Sequence, residues 1–534
     1  MKRRGKMKHV SFFAFTATPK PETLELFRTK MPDGKWRVPF TLYTMRQAIE
    51  EGFILDVLKN YTTYDQYFNL LKTIADDPQY DRKKATGLLK QFVGLHKHTV
   101  DKKARIMVDH FRDKVQAGIE GKAKAMIVTR SRLHAVRYAL AGRAYLKELG
   151  QPFKALVAFT GTVKDPHTGK EYTEPGMNGV SDTKTEMEFE ADENKLLIVA
   201  NKFQTGFDQP LLAAMYVDRK LKGVTAVQTL SRLNRTRAGK KETFVLDFEN
   251  DRGVIQEAFQ VYYDRVSLTA DTDPNRLYDI LTDLGETGFY TAQHVTDFCR
   301  IAFSKLTNEK KIAQLHGLTN PIVTHYKALD EADRRDFKSK LRDFVKLCSF
   351  LSQIITFQDP RLEQFFAFGD FLARKLPPEE GELPYNILSK VDLDLFKPQQ
   401  VGTAPIALQR GDAKIEPPNY GGGVMLPAED IEPLSKIIAE LNEQFGTRFT
   451  DEDRVVIKRL EDQLGRDKIL EQQLQVGSKD AVRLSFEQVA QDMLHALIDS
   501  NFKFYKKVQD DQDIARELFD RLFERYYAKK AKRP

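Results

Sequence analysis

The chain has 534 residues, with 84 Lys and Arg against 76 Asp and Glu and a formal net charge of +8. That length suffices for two or three domains with cores of their own, and 41% hydrophobic with 30% charged residues marks a globular chain. Cys299 and Cys348 are too few for a disulfide framework, and no Cys/His metal spacing occurs. No apolar run reaches membrane-spanning length, and the basic start lacks a signal-type apolar segment, so a reducing cytoplasm is expected. The basic excess suits a polyanionic partner without requiring one.

In chain order, residues 10–18 hold SFFAF, a strand-like run ending in Thr16-Ala17-Thr18. Pro21 opens a short helix, Trp36–Phe40 is extended, and Met45–Asn60 reads as a helix. Residues 61–120 are polar and expected to be mostly helical, with amphipathic spacing from Asp101 to Ile119. Apolar strands then alternate with helices: Ala125–Thr129, Ala155–Phe159, Leu196–Ala200, Ala214–Val217 and Thr243–Asp247. Alternating strands and helices imply a parallel sheet covered on both faces. Ligands in such sheets bind at the carboxyl ends of the strands. Those ends carry Thr129-Arg130-Ser131, Thr160-Gly161, Thr205-Gly206 and Asp218-Arg219. Hydroxyls and helix-opening N–H groups there suit DNA phosphates, although Ser and Thr at such places also cap helices. Residues 162–194 are expected to be a long loop. From 270 onward helical spacing takes over, with a core stripe at Phe337, Leu341, Phe344, Val345, Cys348, Leu351 and Ile355. Phe365, Phe366, Phe368 and Phe371 add core or an interface, and the Pro- and Gly-rich stretch 397–425 is expected to be a linker or mobile loop.

The stretch from Leu196 to Asp247 carries most of the chemistry. Gln228, Arg232 and Arg235 stand at i, i+4 and i+7, one face of a helix, where two guanidinium forks and an amide can grip a polyphosphate. Residues 219–241 contain eight Lys or Arg and no Asp or Glu. A solvated basic helix would explain the charge, but not the Gly206-Phe207-Asp208 turn one strand earlier.

These strings resemble known motifs. TGFDQP, from Thr205, resembles motif V of superfamily 2 helicases, QTLSRLNR, from Gln228, resembles motif VI, and FTATP, from Phe15, resembles motif III. SFFAFTATPKPETLELF and YTMRQAIEEGFILDVLKNY are more specifically similar to the restriction (R, motor) subunit of type I restriction-modification enzymes. The resemblance is dense over 10–250 and looser beyond 270. It implies an α/β plus all-α architecture: a RecA-like parallel-sheet domain, the second helicase domain, followed by a helical C-terminal domain. Residues 1–30 would be a remnant of the first RecA-like domain, 31–265 the second with a helical insertion near 61–120, and 266–534 the helical domain, with the linker at 397–425. It implies ATP-dependent duplex DNA translocation preceding cleavage. Gln228, Arg232 and Arg235 would be the catalytic, charge-neutralising set, and Gly206 and Asp208 would join them in ATP binding. Thr16 and Thr18 would couple hydrolysis to domain closure, and Thr129, Arg130, Ser131, Thr160, Gly161 and Thr205 would contact DNA. ATP and Mg²⁺ would serve the full-length subunit. The implied partners are duplex DNA and the methyltransferase and specificity subunits, with the helical part docking on the methyltransferase core. A phosphate loop, a DExx box and a nuclease pattern are absent from the sequence, so the chain is expected to be the C-terminal part of such a subunit, inactive alone. Alternatives are another superfamily 2 translocase, of repair or remodelling type, and a non-enzymatic docking module.

Overall fold

The computed structural model describes residues 9, 11–30, 36–203, 206–355, 359–377, 385–418, 420, 430–445 and 479–495, with isolated positions elsewhere beyond 455. Contacts divide the chain into two units. The first comprises Met1–Asp65, Tyr80–Ile387 and Pro398–Glu432; the second comprises Gln66–Gln79, Leu388–Lys397 and Pro433–Pro534.

The first unit is built on a seven-stranded sheet. Its elements in chain order are α1 (Met45–Glu50), β1 (Tyr61–Lys72), α2 (Arg82–Leu95), α3 (Lys97–His110), β2 (Lys124–Thr129), α4 (Arg132–Glu148), β3 (Lys154–Ala158), β4 (Asn194–Val199), β5 (Leu212–Asp218), α5 (Val224–Leu230), β6 (Phe244–Asp247), α6 (Arg252–Tyr263) and β7 (Val391–Ala404). β1 and β7 each continue into the second unit. The spatial order is β7-β1-β6-β5-β2-β4-β3, and the pairings from β1 through β3 are parallel. β2, β4 and β5 are buried along their whole length, and period-two alternation splits their side chains between two cores. Ala125, Ile127, Leu196, Ile198 and Tyr216 face α3 and α4 residues, whereas Met126, Val128, Leu197, Val199 and Val217 face those of α5 and α6. The expected strands fall within two residues of the observed ones.

Five expectations are corrected. α1 ends at Glu50 rather than running on to Asn60, because the Gly52 and Phe53 N–H groups donate back to the Ile49 and Ala48 carbonyls and close the helix. Residues 61–72 form strand rather than helix: YTTYDQYF is aromatic and β-branched, and Tyr61, Thr62 and Thr63 pair with Val245, Leu246 and Asp247. Residues 10–18 form no strand where described; Phe12, Phe13 and Phe15 are exposed, and an apolar run becomes a strand only where another strand pairs with it. Residues 162–194 are folded, with a hairpin between Thr162–Lys164 and Glu171–Thr173 followed by helices Glu174–Asn178 and Thr185–Glu188. Buried Glu174 holds them by accepting from the Phe159 N–H (2.7 Å), the Thr185 hydroxyl (2.5 Å) and the Lys202 ammonium (2.7 Å). The stretch 397–425 contains the end of β7 and a zipped segment. Arg252, Gln256 and Gln260, at i, i+4 and i+8 of α6, donate to carbonyls of Ala404 and Pro405, Ala407, and Gln409. Residues 419 and 421–425 of that stretch lie outside the described residues.

The same unit contains a helical core from Arg276–Glu286, Ala292–Ala302, Asn308–Lys327, Glu331–Ile354 and Pro360–Lys375. Phe337, Leu341, Phe344, Cys348 and Leu351 are buried in it, as their spacing predicts. Phe365 and Phe368 are core as well, and so are not partner surface. In the second unit Phe68 stacks on Phe445, and Asn442 exchanges hydrogen bonds with the Leu70 backbone. The β1 part therefore packs against the Leu434–Phe445 helix.

Candidate functional site

Helix α5 carries Gln228 but stops at Leu230; Ser231–Leu233 tighten into a 3₁₀ turn, and Arg235 lies beyond it in an antiparallel bridge with Ile54. The three polar residues therefore do not share one α-helical face. The backbone leaves the helix because its carbonyls find other donors. The buried Lys240 ammonium donates to Leu233 (2.8 Å), Arg235 (2.8 Å) and Pro210 (3.2 Å), and the Leu55 N–H donates to Asn234 (2.8 Å). Burial, with Arg235 nearby, lowers Lys240 to about 8. Sequence reasoning missed Lys240, counting it with the outward basic run; its only signal was a lysine just after a Gly.

The side chains nevertheless converge. The Gln228 amide donates to the Thr18 hydroxyl (3.1 Å), and the Thr18 N–H donates to Thr16 Oγ1 (3.1 Å). Arg232 Nη1 donates to the Phe207 carbonyl (2.8 Å), and Arg235 Nε donates to Asp208 Oδ1 (2.9 Å). Phe207 is buried against Phe189 and Phe203, which anchors this turn from below. Gly206 sits at φ +74°, a backbone state that disfavours any side chain; Thr205 lies outside the described residues. Arg232 is half-buried, and burial together with Arg235 lowers its pKa while Asp208 opposes the shift. Arg235 thus pairs with Asp208, and Arg232, held by the Phe207 carbonyl, lies near enough to feel both charges. Among the described residues, no group of three or more His, Cys, Asp or Glu is placed to hold a metal ion.

At the carboxyl ends of β2 and β3 the expected DNA contacts separate. Thr129 is buried, and its hydroxyl lies within reach of the Ser131 (3.1 Å) and Val199 (3.0 Å) carbonyls. Ser131 caps α4, accepting from the His134 N–H. Arg130 turns inward onto Glu249 and lies 3.8 Å from Asp218. It joins a buried network in which Asp218 accepts from Lys103 (2.6 Å) and the Tyr138 hydroxyl (2.7 Å). All three therefore already hold contacts within the fold: Thr129 inside the sheet, Ser131 at the start of α4, and Arg130 against the acids Asp218 and Glu249. Thr160 and Gly161 are exposed, and the outward guanidinium beside them is Arg132, whose Nη1 donates to the Thr160 carbonyl (2.9 Å). Arg132 was missed, although the acid-free run from Lys122 to Arg143 contained it.

Comparison with known proteins bears on this same region. Residues 162–250 match the family model described as type I restriction enzyme subunit R domain 3. The MjaVIIP endonuclease subunit of Methanocaldococcus jannaschii is 26% identical over 247 residues, 42% of this chain and 22% of that protein. The type I restriction enzyme SsaAORF53P endonuclease subunit of Staphylococcus saprophyticus is 28% identical over 221 residues, 38% of this chain and 20% of that protein. The chain is related to the R subunits of type I restriction enzymes. Its matches span about a fifth of those relatives' length. Among solved structures, the ATP-dependent type ISP restriction-modification enzyme LlaBIII bound to DNA superposes over 66% of this chain and 27% of its own. The identity is 12% and the TM-score 0.25. No helix among the described residues is long and apolar enough to cross a membrane.

Proposed function

We propose that this R-subunit relative supplies the second, RecA-like and phosphate-sensing half of an ATP-driven duplex DNA motor. The observation that carries the reading is the Gln228–Thr18 hydrogen bond, which joins the Thr-Ala-Thr segment to the turn bearing Arg232 and Arg235. The Arg235–Asp208 pair is 46% and 64% exposed; an ion pair that wet contributes little net stability, so an arriving polyphosphate can displace Asp208 at low cost. Arg232, held by the Phe207 carbonyl, is already aimed. Such arginines neutralise charge developing on a transferred phosphoryl group, where their loss typically costs roughly 10³–10⁵ in rate. ATP supplies the phosphoryl group and Mg²⁺ its counter-charge; this chain's own residues bind and orient the phosphates. Thr160, Gly161 and Arg132 would track the DNA backbone, and Thr205 would join them. Docking on a methyltransferase partner falls to the exposed Phe303, Leu306 and Ile312 rather than to the buried Phe365 and Phe368.

Isothermal titration of the full 534-residue chain with tripolyphosphate tests the reading. Arg232→Ala and Arg235→Ala should each weaken binding roughly tenfold, the loss of one charge-assisted contact. Unchanged affinity in both variants would remove the arginines from the role. Steady-state ATP turnover by the chain alone, with duplex DNA, should be negligible; turnover at motor rates would contradict a half-site.

A further inference from the structure

We propose that Tyr43 and Phe53 form a stacking platform for a nucleobase, that of the nucleotide whose phosphates meet Arg232 and Arg235. The inference rests on the phosphate reading above and adds the ligand's other end. Phe53 is 66% exposed and Tyr43 51% exposed, and their rings meet edge to face with centroids 6.1 Å apart. Large aromatic faces left open to water are costly, and these two are held in place rather than frayed.

The hold is visible at both ends of α1. At its start Thr44 and Gln47 form a capping box. At its end Gly52, at φ +74°, donates to Ile49 (3.1 Å) and Phe53 donates to Ala48 (2.9 Å), the hydrogen-bond pattern of a Schellman motif. In that motif the residue at the Phe53 position commonly folds back onto the helix; here its ring stays open beside Tyr43. Tyr43 is fixed in turn, its hydroxyl donating to Glu51 Oε2 (2.6 Å).

The platform is tied to the arginines through the backbone. Ile54 bridges Arg235, the Leu55 N–H donates to Asn234 (2.8 Å), and the Thr236 hydroxyl reaches the Phe53 carbonyl (3.4 Å). Bridged strands lie about 5 Å apart, so the backbone that carries Phe53, its ring open beside Tyr43, runs next to the backbone that carries the exposed Arg235 guanidinium. Aromatic faces stack on bases, and guanidinium forks pair with phosphates; together they match a nucleotide, with its base and its charge joined in one molecule.

The test uses the full chain, with its far-ultraviolet circular dichroism checked in each variant. ATP, tripolyphosphate and a single-stranded oligothymidylate are titrated into the wild type, Phe53→Ser, Tyr43→Ser and Arg235→Ala. ATP should bind roughly 5- to 100-fold tighter than tripolyphosphate, the worth of one stacked base. Phe53→Ser should erase that difference and leave tripolyphosphate affinity intact, whereas Arg235→Ala should weaken both. Equal binding of ATP and tripolyphosphate by the wild type overturns the platform while leaving the phosphate reading standing. Loss of oligothymidylate affinity in Phe53→Ser with ATP unaffected assigns the rings to nucleic acid and overturns it too. If tripolyphosphate does not bind at all, it is the phosphate reading that fails, and ATP binding that is likewise absent removes the platform with it.

Discussion

Replacing Lys103 with Met tests the buried network beneath the strand ends. Lys103 and Asp218 are both fully buried and 2.6 Å apart. Removing one partner of a buried pair typically costs about 3–5 kcal/mol, because the other charge is left without compensation. Here the stranded Asp218 retains the Tyr138 hydroxyl at 2.7 Å and Arg130 at 3.8 Å, which places the expected loss near the lower end, about 3 kcal/mol. The cost should also depend on pH. Burial alone would raise the Asp218 pKa; Lys103 and Arg130 reverse this and hold it well below the usual carboxylate range. A depressed carboxyl contributes stability above its ordinary pKa of about 3.9 and loses it as pH falls below. Without the ammonium the folded-state pKa rises, the carboxyl takes up a proton more readily, and the penalty should shrink between pH 8 and pH 5. Urea denaturation by circular dichroism reads the total, and hydrogen exchange of β2 and β5 amides localises it. A Lys103→Met protein within about 1 kcal/mol of wild type at pH 8 would refute the assignment, as would a penalty that grows on acidification.

Other outcomes follow from the same geometry. Arg132→Ala should weaken binding to all duplexes alike and flatten the salt dependence by about one phosphate contact, whereas Arg130→Ala should mainly destabilise the fold; electrophoretic mobility shifts across salt concentrations, beside urea titrations, distinguish the two. Lys240→Met leaves three carbonyls without their donor and should cost roughly 2–3 kcal/mol in the same titration, with Lys240→Arg recovering part of it. Burial holds His110 at about 4 and His134 at about 3, so neither takes up a proton in the folded chain until well below the ordinary imidazole range. The unfolded chain does so below about 6.5, so each histidine should cost about 2 kcal/mol between pH 6.5 and pH 5. His110→Gln should remove its share of that slope, and an unchanged slope would sink this account.

The sheet was legible because its strands are apolar on both faces, a pattern that polar context does not disguise. β2, β4 and β5 were found within two residues, and the helical core stripe through Phe337 and Leu351 likewise. β1 was missed because YTTYDQYFNLL mixes polar and aromatic residues, and its pairing with β6 on one side and β7 on the other decides that it is a strand. β7 was missed because a Pro- and Gln-rich strand at a sheet edge looks like a linker. In the candidate site, the residues that meet were legible but their geometry was not. The spacing of Gln228, Arg232 and Arg235 suggests one helix, yet nothing local to that spacing reveals that Lys240 draws the last turn open.

Composition counts cations; it does not say which way they face. Inward and outward lysines and arginines occur around these strand ends for the same reason: the parallel sheet leaves acids and carbonyls at its carboxyl ends. Asp218, at the end of β5, takes Lys103 with Arg130 nearby, and the carbonyls after the 3₁₀ turn take Lys240. Arg132 and Arg235, by contrast, are paired only at the surface, where solvent weakens each contact. Cations whose partners are buried set the shape of the strand ends, and cations whose partners are wet remain available for a phosphate. On the proposed function, that division assigns the phosphate contacts to Arg132 and Arg235 rather than to Arg130 and Lys240.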